Sequence, residues 1–475
     1  MEEYYDIAIT GAGAVGLCAA WAALTQAEEK ISVCVFEKEA DLAFGTSGRN
    51  SAVVHAGFNN PVGSLKAKLC VEGSRGFEDL AKRLGVDYVK TGKLVVGVGE
   101  EDRKTLEKLK AQGDANGVRG LEIVERETIE RLSPGVEGDC ALFSPETAVF
   151  DPFQYCGALG SEAGEKGCRF FFGTEVCEIK RQEAFWEVSG RKADGDLVKV
   201  RAKAVINAAG LQSGRISAVA GAEAYEIKPC RGEYHILDRA ARALAKIPVY
   251  PLPDESRGVL GIHITPTTDG KVMIGPSAEF LDDAEDVATT EEVMKQLKKG
   301  GTDILDELGR VEIIRSFAGI RPKCDANGGD FIIEEPLPGF VNLVGIESPG
   351  MTASLPIGKL ALRMLGYEVS DELKRSESPV KKESAGAGTL VCRCEKVTEG
   401  EILEAFDDII AIGAIPTIKG LKNRTGAFMG GCQGCFCTVD AVDLLKRKRG
   451  VEAETLTYDG PGSEMFVSRL RPSGE

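Results

Sequence analysis

"YDIAITGAGAVGLCAAWAAL", Tyr5–Leu24, is the stretch that decides how this 475-residue chain begins to fold. Tyr5–Thr10 reads as a short buried strand, and Gly11, Gly13 and Gly16 form G-x-G-x-x-G where a helix begins. Gly11 permits the tight turn, Gly13 lets a pyrophosphate approach the backbone, and Gly16 lets helix and strand pack closely. Ala19, Ala20, Ala22 and Ala23 continue that close packing. A second strand in "ISVCVFEKE" ends at Glu37, 21 residues beyond Gly16. An acid there can hydrogen-bond the ribose hydroxyls of an adenosine. Strand, helix, second strand and terminal acid together predict a dinucleotide site. The fingerprint alone does not choose NAD or FAD, and its bland alternative is a plain βαβ unit with a glycine-rich turn.

Composition bounds the rest. At roughly 150 residues per domain, the length predicts two to four domains. The chain is 43% hydrophobic and 28% charged, enough for a large core and a solvated surface. A formal charge of −16 argues against nucleic acid, whose phosphates want a basic face. An anionic substrate needs only local arginines and stays open. No run of about eighteen apolar residues occurs, so no spanning helix is expected. The opening "MEEYYDIAIT" has no leader pattern. Cys18, Cys34 and Cys70 sit in apolar segments as small core residues. The expectation is a cytoplasmic protein, free or held at a membrane by a partner, whose cysteines are ligands or filler rather than disulfides.

Beyond Glu37 the chain does not continue in regular βα units. It reads "GTSGRNSAVVHAGF" (Gly45–Phe58) and "PVGSLKAKLCVEG" (Pro61–Gly73), then "VINAAG" (Val205–Gly210), "FAGIRPK" (Phe317–Lys323) and "GIESPGMTASLPIGKLA" (Gly345–Ala361). From Asp6 to Gly366 this resembles the D-amino-acid-oxidase-like flavoproteins. The branch it is most similar to is that of L-2-hydroxyglutarate dehydrogenase/oxidase and bacterial glycerol-3-phosphate dehydrogenase-like proteins. The resemblance implies FAD and an α/β fold, with a Rossmann-like FAD-binding domain interleaved with an antiparallel-sheet substrate domain. Within residues 1–369, the FAD-binding parts are expected at about 1–75, 150–225 and 310–369, and the substrate parts at 76–149 and 226–309. Ser47, Asn50 and Ser51 would line the cofactor, as would Ala209 and Gly210 after a buried strand. Gly350, Met351 and Thr352 open an apolar helix. A helix N-terminus offers free N–H donors and a positive dipole end, suited to the charge of a reduced flavin. Among the antiparallel segments, "GVLGIHITPTTDGKVMIGP" reads as a hairpin with Asp269-Gly270 in its turn.

Three histidines can be weighed one by one. Strand alternation in "LGIHITP" puts Leu260, Ile262 and Ile264 on one face and Gly261, His263 and Thr265 on the other. With the apolar face toward a core, His263 looks into the cavity and is a candidate general base for a hydroxyl proton. A hydrogen-bonded strand histidine is the structural alternative. His55 lines the flavin by resemblance, and in some relatives a histidine of such a stretch bonds the flavin covalently. His235 reads as structural. Arg321, apolar on both sides and followed by Pro322, is an odd place for a solvated charge. It is the candidate anchor for a carboxylate or phosphate, unless it pairs with a buried acid. Lys323 and Arg231 are weaker candidates.

"SDELKRSESPVKKESAGAG", residues 370–388, reads as a linker, and residues 389–455 as a further domain followed by a tail, 456–475. Cys392 and Cys394 in "VCRCE", with Cys432, Cys435 and Cys437 in "GGCQGCFC", can surround one soft centre. Four cysteines serve a [2Fe–2S] cluster or a zinc site, and C-x-C favours iron–sulfur; a redox-active thiol pair is the alternative. The segment resembles the bacterioferritin-associated-ferredoxin-like [2Fe–2S] domain, a small helical module. Cys392, Cys394 and Cys432 fit either ligand scheme, while Cys435 and Cys437 compete for the fourth place. A cluster carries single electrons away from a two-electron site and favours a dehydrogenase over an oxidase. The expected activity is FAD-dependent oxidation of a small anionic alcohol, an L-2-hydroxy acid or sn-glycerol 3-phosphate. Electrons would leave through the cluster to an acceptor protein or quinone-linked subunit. Amine oxidation, or an electron-transfer subunit without catalysis, are the other readings.

Overall fold

A computed structural model describes residues 3–253, 261–374 and 388–466. Glu3–Thr10 lies at the centre of a sheet, parallel to Val33–Phe36 on one side and Leu197–Asn207 on the other. Arg169–Phe171 extends the first edge and Phe340–Val344 the second, both parallel. Ile7, Ala8 and Ile9 are all fully buried, without the alternation of a one-sided strand. Parallel strands are covered on both faces, and these run apolar for that reason. The crossover helix Ala14–Thr25 buries Leu17 to Ala23 without a break. It is sandwiched between the sheet and the helix Gly350–Met364. Small residues make that fit: a Cβ on Gly358 would stand 2.7 Å from Ala19 N.

A second, nine-stranded and mostly antiparallel sheet forms a roof. Its successive strands include Lys93–Gly97, Val249–Tyr250, His263–Pro266, Val272–Gly275, Lys228–Leu237 and Ile313–Lys323. The hairpin expected around Asp269-Gly270 is present, with His263 opposite Gly275 and Gly270 at φ +88°. Ile262 and Ile264 pack into the core beneath the roof, His263 and Thr265 share the other face, and Leu260 lies outside the described residues.

Two expected boundaries move. Ile313–Lys323, assigned above to the FAD-binding part 310–369, pairs along its length with Lys228–Leu237 in the roof, and Phe317 stacks on Tyr234 at 4.8 Å. The helix Leu65–Leu84 runs through the division set at residue 75. It cannot be split there, because Gly73 lies against the Gly350 helix, where a Cβ would be 2.0 Å from Thr352 O.

The C-terminal domain is a short two-stranded ribbon, Leu390–Cys392 with Val397–Thr398, and the helices Glu399–Ala411, Ile418–Thr425 and Cys437–Arg449. A capping box of Thr398 and Glu401 starts the first helix. Residues 456–466, expected as tail, belong to this domain. Leu456 is buried, and Thr457 O and Tyr458 O accept the first N–H groups of the Ile418 helix, which otherwise lack partners. Of the expected linker, Ser370 and Lys374 are docked on Gln26, and 375–387 lie outside the described residues, as do 467–475 of the tail.

This domain does not hang free. Trp21, Leu42 and Phe172 of the FAD-binding part share one continuous core with Ile402, Ile409 and Leu445. Ile415 N–H donates to Ala40 O at 2.9 Å. Arg424 grips the fully buried Asp41 through both guanidinium nitrogens, one contact at 2.8 Å. At the roof, Glu395 receives Arg239 at 2.8 Å and Lys271 at 3.0 Å, and Arg239 also donates to Cys394 O at 3.0 Å. Lys271 belongs to the hairpin that carries His263. Removing one partner of a buried pair leaves an uncompensated charge, at a cost of about 3–5 kcal/mol. Arg424→Ala should therefore destabilise the whole protein by that order in denaturant unfolding. Replacing both partners, Asp41→Leu with Arg424→Leu, should recover much of the loss.

Candidate active site

The sheet's carboxyl edge and the roof enclose a cavity of about 1310 Å³. Small-ligand pockets run to about 1,000 Å³ at most, so this one has room for a dinucleotide and a substrate. Gly11 and Gly13 line one end. Gly11 sits at φ +102°, and a Cβ there would be 2.6 Å from Ala208 O. On Gly16 a Cβ would be 2.0 Å from Gly11 O, which is the strand–helix contact in its tightest form. Gly13 is different: a Cβ there meets only Ser47 Oγ, at 3.0 Å, and otherwise projects into open space. The helix N-cap at Gly13 has no side-chain bond, although Ala14 N–H donates to Ser47 Oγ at 2.9 Å. That is a cradle for a pyrophosphate.

Glu37 also faces the cavity. Its carboxylate accepts from Ala12 N–H at 2.7 Å and Glu39 N–H at 2.9 Å, and each oxygen keeps a lone pair for a further donor. Burial pushes the carboxyl above its ordinary value against the pull of those two donors. Ser51, Ala209 and Gly210 line the cavity, Gly210 at φ +55°. Asn50 holds the loop itself, donating to Ser47 O and accepting from Ala52 N–H. Gly350, Met351 and Thr352 open the second helix onto the same space, with no side-chain cap at Pro349. Two helix N-termini thus face one cavity, and the residues present fit FAD: donors for its diphosphate at one end and for its electron-rich ring edge at the other.

At the ring end stand His55, His263 and Arg321. His55 is held by its backbone, donating to Thr352 Oγ1 at 3.0 Å, and its Nε2 lies 3.5 Å from Ser348 Oγ. Burial, reinforced by Lys93, pushes its ring down to about 3. His263 is buried, stacked on Tyr250 at 3.8 Å, with Nδ1 3.0 Å from Thr265 Oγ1. Burial, then Lys93, His55 and Arg321, hold it well below the usual histidine range. Such a ring is neutral at pH 7, with a nitrogen available as a base.

The Arg321 guanidinium meets carbonyls rather than a buried acid: Ser277 O at 2.7 Å, Arg231 O at 3.3 Å and Cys230 O at 3.4 Å. Carbonyls fix its orientation without neutralising it. Arg231 is consumed by Glu279, Asp286 and Glu233 at 2.6, 2.8 and 3.4 Å, and Lys323 lies 3.6 Å from Glu347. His235 binds Ser316 Oγ and Met294 O, each at 2.9 Å, and takes no part in the lining. Sequence reasoning missed Lys93, a cavity-lining lysine. Its one local signal was a cation opening the apolar run "KLVVG".

The cysteines gather at the other side of the roof. Cys394 Sγ lies 3.6 Å from Cys432 Sγ, and the Cys437 and Cys392 thiols, both free, are joined by a hydrogen bond. Burial first, and then Cys392, pushes Cys437 up to about 12. Cys435 is exposed. Among the described residues no three ligand side chains converge as one ion requires. Two thiol pairs are instead what a two-iron cluster takes, one pair for each iron. The loops are shaped for it. A Cβ on Gly430 would be 2.2 Å from Cys394 Cβ, and Lys396, Phe428 and Gln433 all hold positive φ. Despite desolvation, N–H groups of Gly434 and Phe436 and the Cys394 thiol keep Cys432 below its ordinary value, favouring the thiolate that metal binding needs.

Comparison with known proteins agrees with this geometry. Residues 6–364 match the family described as FAD dependent oxidoreductase, and residues 390–447 match the BFD-like [2Fe-2S] binding domain. The chain is 32% identical to a glycerol 3-phosphate dehydrogenase of Caloramator mitchellensis, over 98% of each chain. It is 35% identical to a mitochondrial L-2-hydroxyglutarate dehydrogenase of Nematostella vectensis, over 58% of this chain and 63% of the relative. Among solved structures, L-alpha-glycerophosphate oxidase from Mycoplasma pneumoniae with FAD bound superposes with a TM-score of 0.71 at 28% identity, covering 78% of this chain and 97% of that one. A glycine oxidase from Geobacillus kaustophilus, at 20% identity and TM-score 0.67, shares the fold.

The glycine geometry separates two kinds of failure. Gly16→Ala collides with Gly11 O and should lower stability and soluble yield. Gly13→Val should leave a folded but colourless protein, because its side chain fills the cradle. Circular dichroism with flavin absorbance distinguishes the two, and a yellow Gly13→Val protein would refute the cradle assignment.

Proposed function

The chain belongs to the FAD-dependent oxidoreductase family and carries a BFD-like [2Fe-2S] binding domain, and from that premise we propose a dehydrogenase for a small anionic secondary alcohol. The substrate is an L-2-hydroxy acid or sn-glycerol 3-phosphate, the compounds named by the relatives. The observation that carries this reading is one cavity lined by a neutral histidine, an arginine whose partners among the described residues are carbonyls, and an uncapped helix N-terminus.

The residue roles follow from charge. Arg321 meets the substrate's carboxylate or phosphate with the donors its carbonyl partners leave free. The carbinol then lies against His263, which takes the hydroxyl proton as the C–O bond becomes a carbonyl. His55, on the far side of Thr352, is the alternative proton acceptor. Bound FAD supplies the acceptor for the hydrogen and two electrons that leave carbon. The N–H groups of Met351 and Thr352 are placed to favour the negative charge this creates. Cys392, Cys394, Cys432 and Cys437 would hold the cluster, which supplies one-electron transfer to an acceptor protein or quinone-linked partner. The domain division that goes with this is residues 1–374 for oxidation and 388–466 for electron exit.

Anaerobic mixing with a panel of hydroxy acids, sn-glycerol 3-phosphate and amino acids tests the reading. A hydroxy compound should bleach the flavin absorbance; bleaching by amino acids alone would move the protein to amine oxidation. Arg321→Ala should raise KM about tenfold to a hundredfold with FAD retained, the worth of a charge-assisted contact. An unchanged KM with lowered stability would give Arg321 a structural role. For the cluster, Cys437→Ser should lose iron and acid-labile sulfide while Cys435→Ser keeps them. The reverse result would exchange their roles, and substrate bleaching should survive both changes.

A further inference from the structure

Lys93 has no role in that scheme, yet it is a fully buried residue in the cavity lining, and its Nζ has no hydrogen-bond partner among the described residues. Two rings flank it, with Nζ 4.4 Å from the Phe58 ring centre and 4.3 Å from that of Tyr250, and the Cys70 thiol, His55 and His263 lie close enough to feel its charge. Two ring faces favour a cation but cannot replace the water it has lost. Burial accordingly draws the amine down to about 7. A buried amine of this kind, open to a ligand cavity, is completed by an anion that the ligand brings.

Its place in the roof says where that anion lies. The strands of Lys93, Tyr250, His263, Gly275, Gly232 and Arg321 follow one another across the sheet. At about 4.8 Å per strand, the Lys93 strand is about 10 Å from that of His263, and the Arg321 strand about 14 Å on the opposite side. Tyr250 links the two ends of the shorter interval, carrying Lys93 over its ring and His263 stacked upon it. The proton acceptor therefore stands between two long cationic side chains that reach in from either flank.

We propose that Lys93 is a second anion anchor, opposite Arg321, which selects hydroxy compounds bearing two negative charges over those bearing one. This rests on the dehydrogenase reading above. The second charge is a distal carboxylate, or the second charge of a phosphomonoester. Both are met by the same ammonium, and the substrate that responds tells them apart.

Lys93→Met keeps the side chain's length and removes its charge. KM for L-2-hydroxyglutarate, or for sn-glycerol 3-phosphate, should rise about tenfold or more, as for other charge-assisted contacts, while KM for L-2-hydroxybutyrate stays within about twofold. Lys93→Arg should keep the preference for two charges. A response to hydroxyglutarate alone assigns the distal carboxylate, and a response to glycerol phosphate alone assigns the phosphate. Equal losses on all three substrates, or none on any, would overturn the proposal, as would Lys93→Arg behaving like Lys93→Met. If the wild-type protein oxidises none of them, the dehydrogenase reading fails and the anchor is tested by binding. Glutarate, inorganic phosphate and butyrate are then titrated against the flavin absorbance of the holoprotein. A selective loss of glutarate or phosphate binding in Lys93→Met supports the anchor, and identical titrations of both proteins refute it.

Discussion

Everything in this molecule is arranged around backbone approach at one turn. Gly16 packs on Gly11 O and Gly11 on Ala208 O so closely that neither tolerates a Cβ, and these contacts aim the Ala14 helix at the cavity. The same need recurs wherever that helix or its neighbours meet: Gly358 on Ala19, and Gly73 on Thr352. Small residues at these contacts bring two helix N-termini to bear on one space from different directions. Unpaired N–H groups are costly to bury, and they persist at helix starts where something with lone pairs completes them. A phosphate and an electron-rich ring are such completions. The fold and the cofactor are two descriptions of one hydrogen-bond requirement.

The roof supplies the opposite kind of group. It brings His263, Lys93 and Arg321 to the ring end, where His55 joins them from the loop after Val53–Val54. Burial first, and then the charge of Lys93, joined at His263 by His55 and Arg321, lowers the proton affinity of both histidines. A neutral base beside fixed positive charge suits a reaction in which an anion arrives and a proton departs. Among the described residues neither histidine ring has a carboxylate partner, unlike the histidine of a hydrolytic triad.

Much of this was legible in residue order, for local reasons. Glycine spacing announced the nucleotide end because the turn's geometry is set within six residues. Alternation in "LGIHITP" put His263 inward because a strand's faces follow from its own sequence. The cysteines declared themselves by density. What escaped was set by distant partners. Arg231 and Arg321 both sit among apolar neighbours, yet acids from the segment 279–286 consume the first and only carbonyls hold the second. Lys93 was not singled out, because Tyr250, whose ring lies against it, arrives from far along the chain. Ile313–Lys323 was grouped with its sequence neighbours, whereas pairing with Lys228–Leu237 put it in the other sheet.

The continuous core beneath the cysteine domain bears on how such a protein could arise or be re-engineered. A flavin enzyme with an appended iron–sulfur module suggests a cassette, exchangeable at the gene level between hosts. Here the seam has Asp41 inside it, Ile409 and Ile412 pressed into the nucleotide half, and Glu395 locked to the hairpin that carries His263. Cutting the gene at this point would strip apolar surface and strand a carboxylate in both fragments' former contact. Recombination between relatives would therefore be tolerated inside either half more readily than at the border between them.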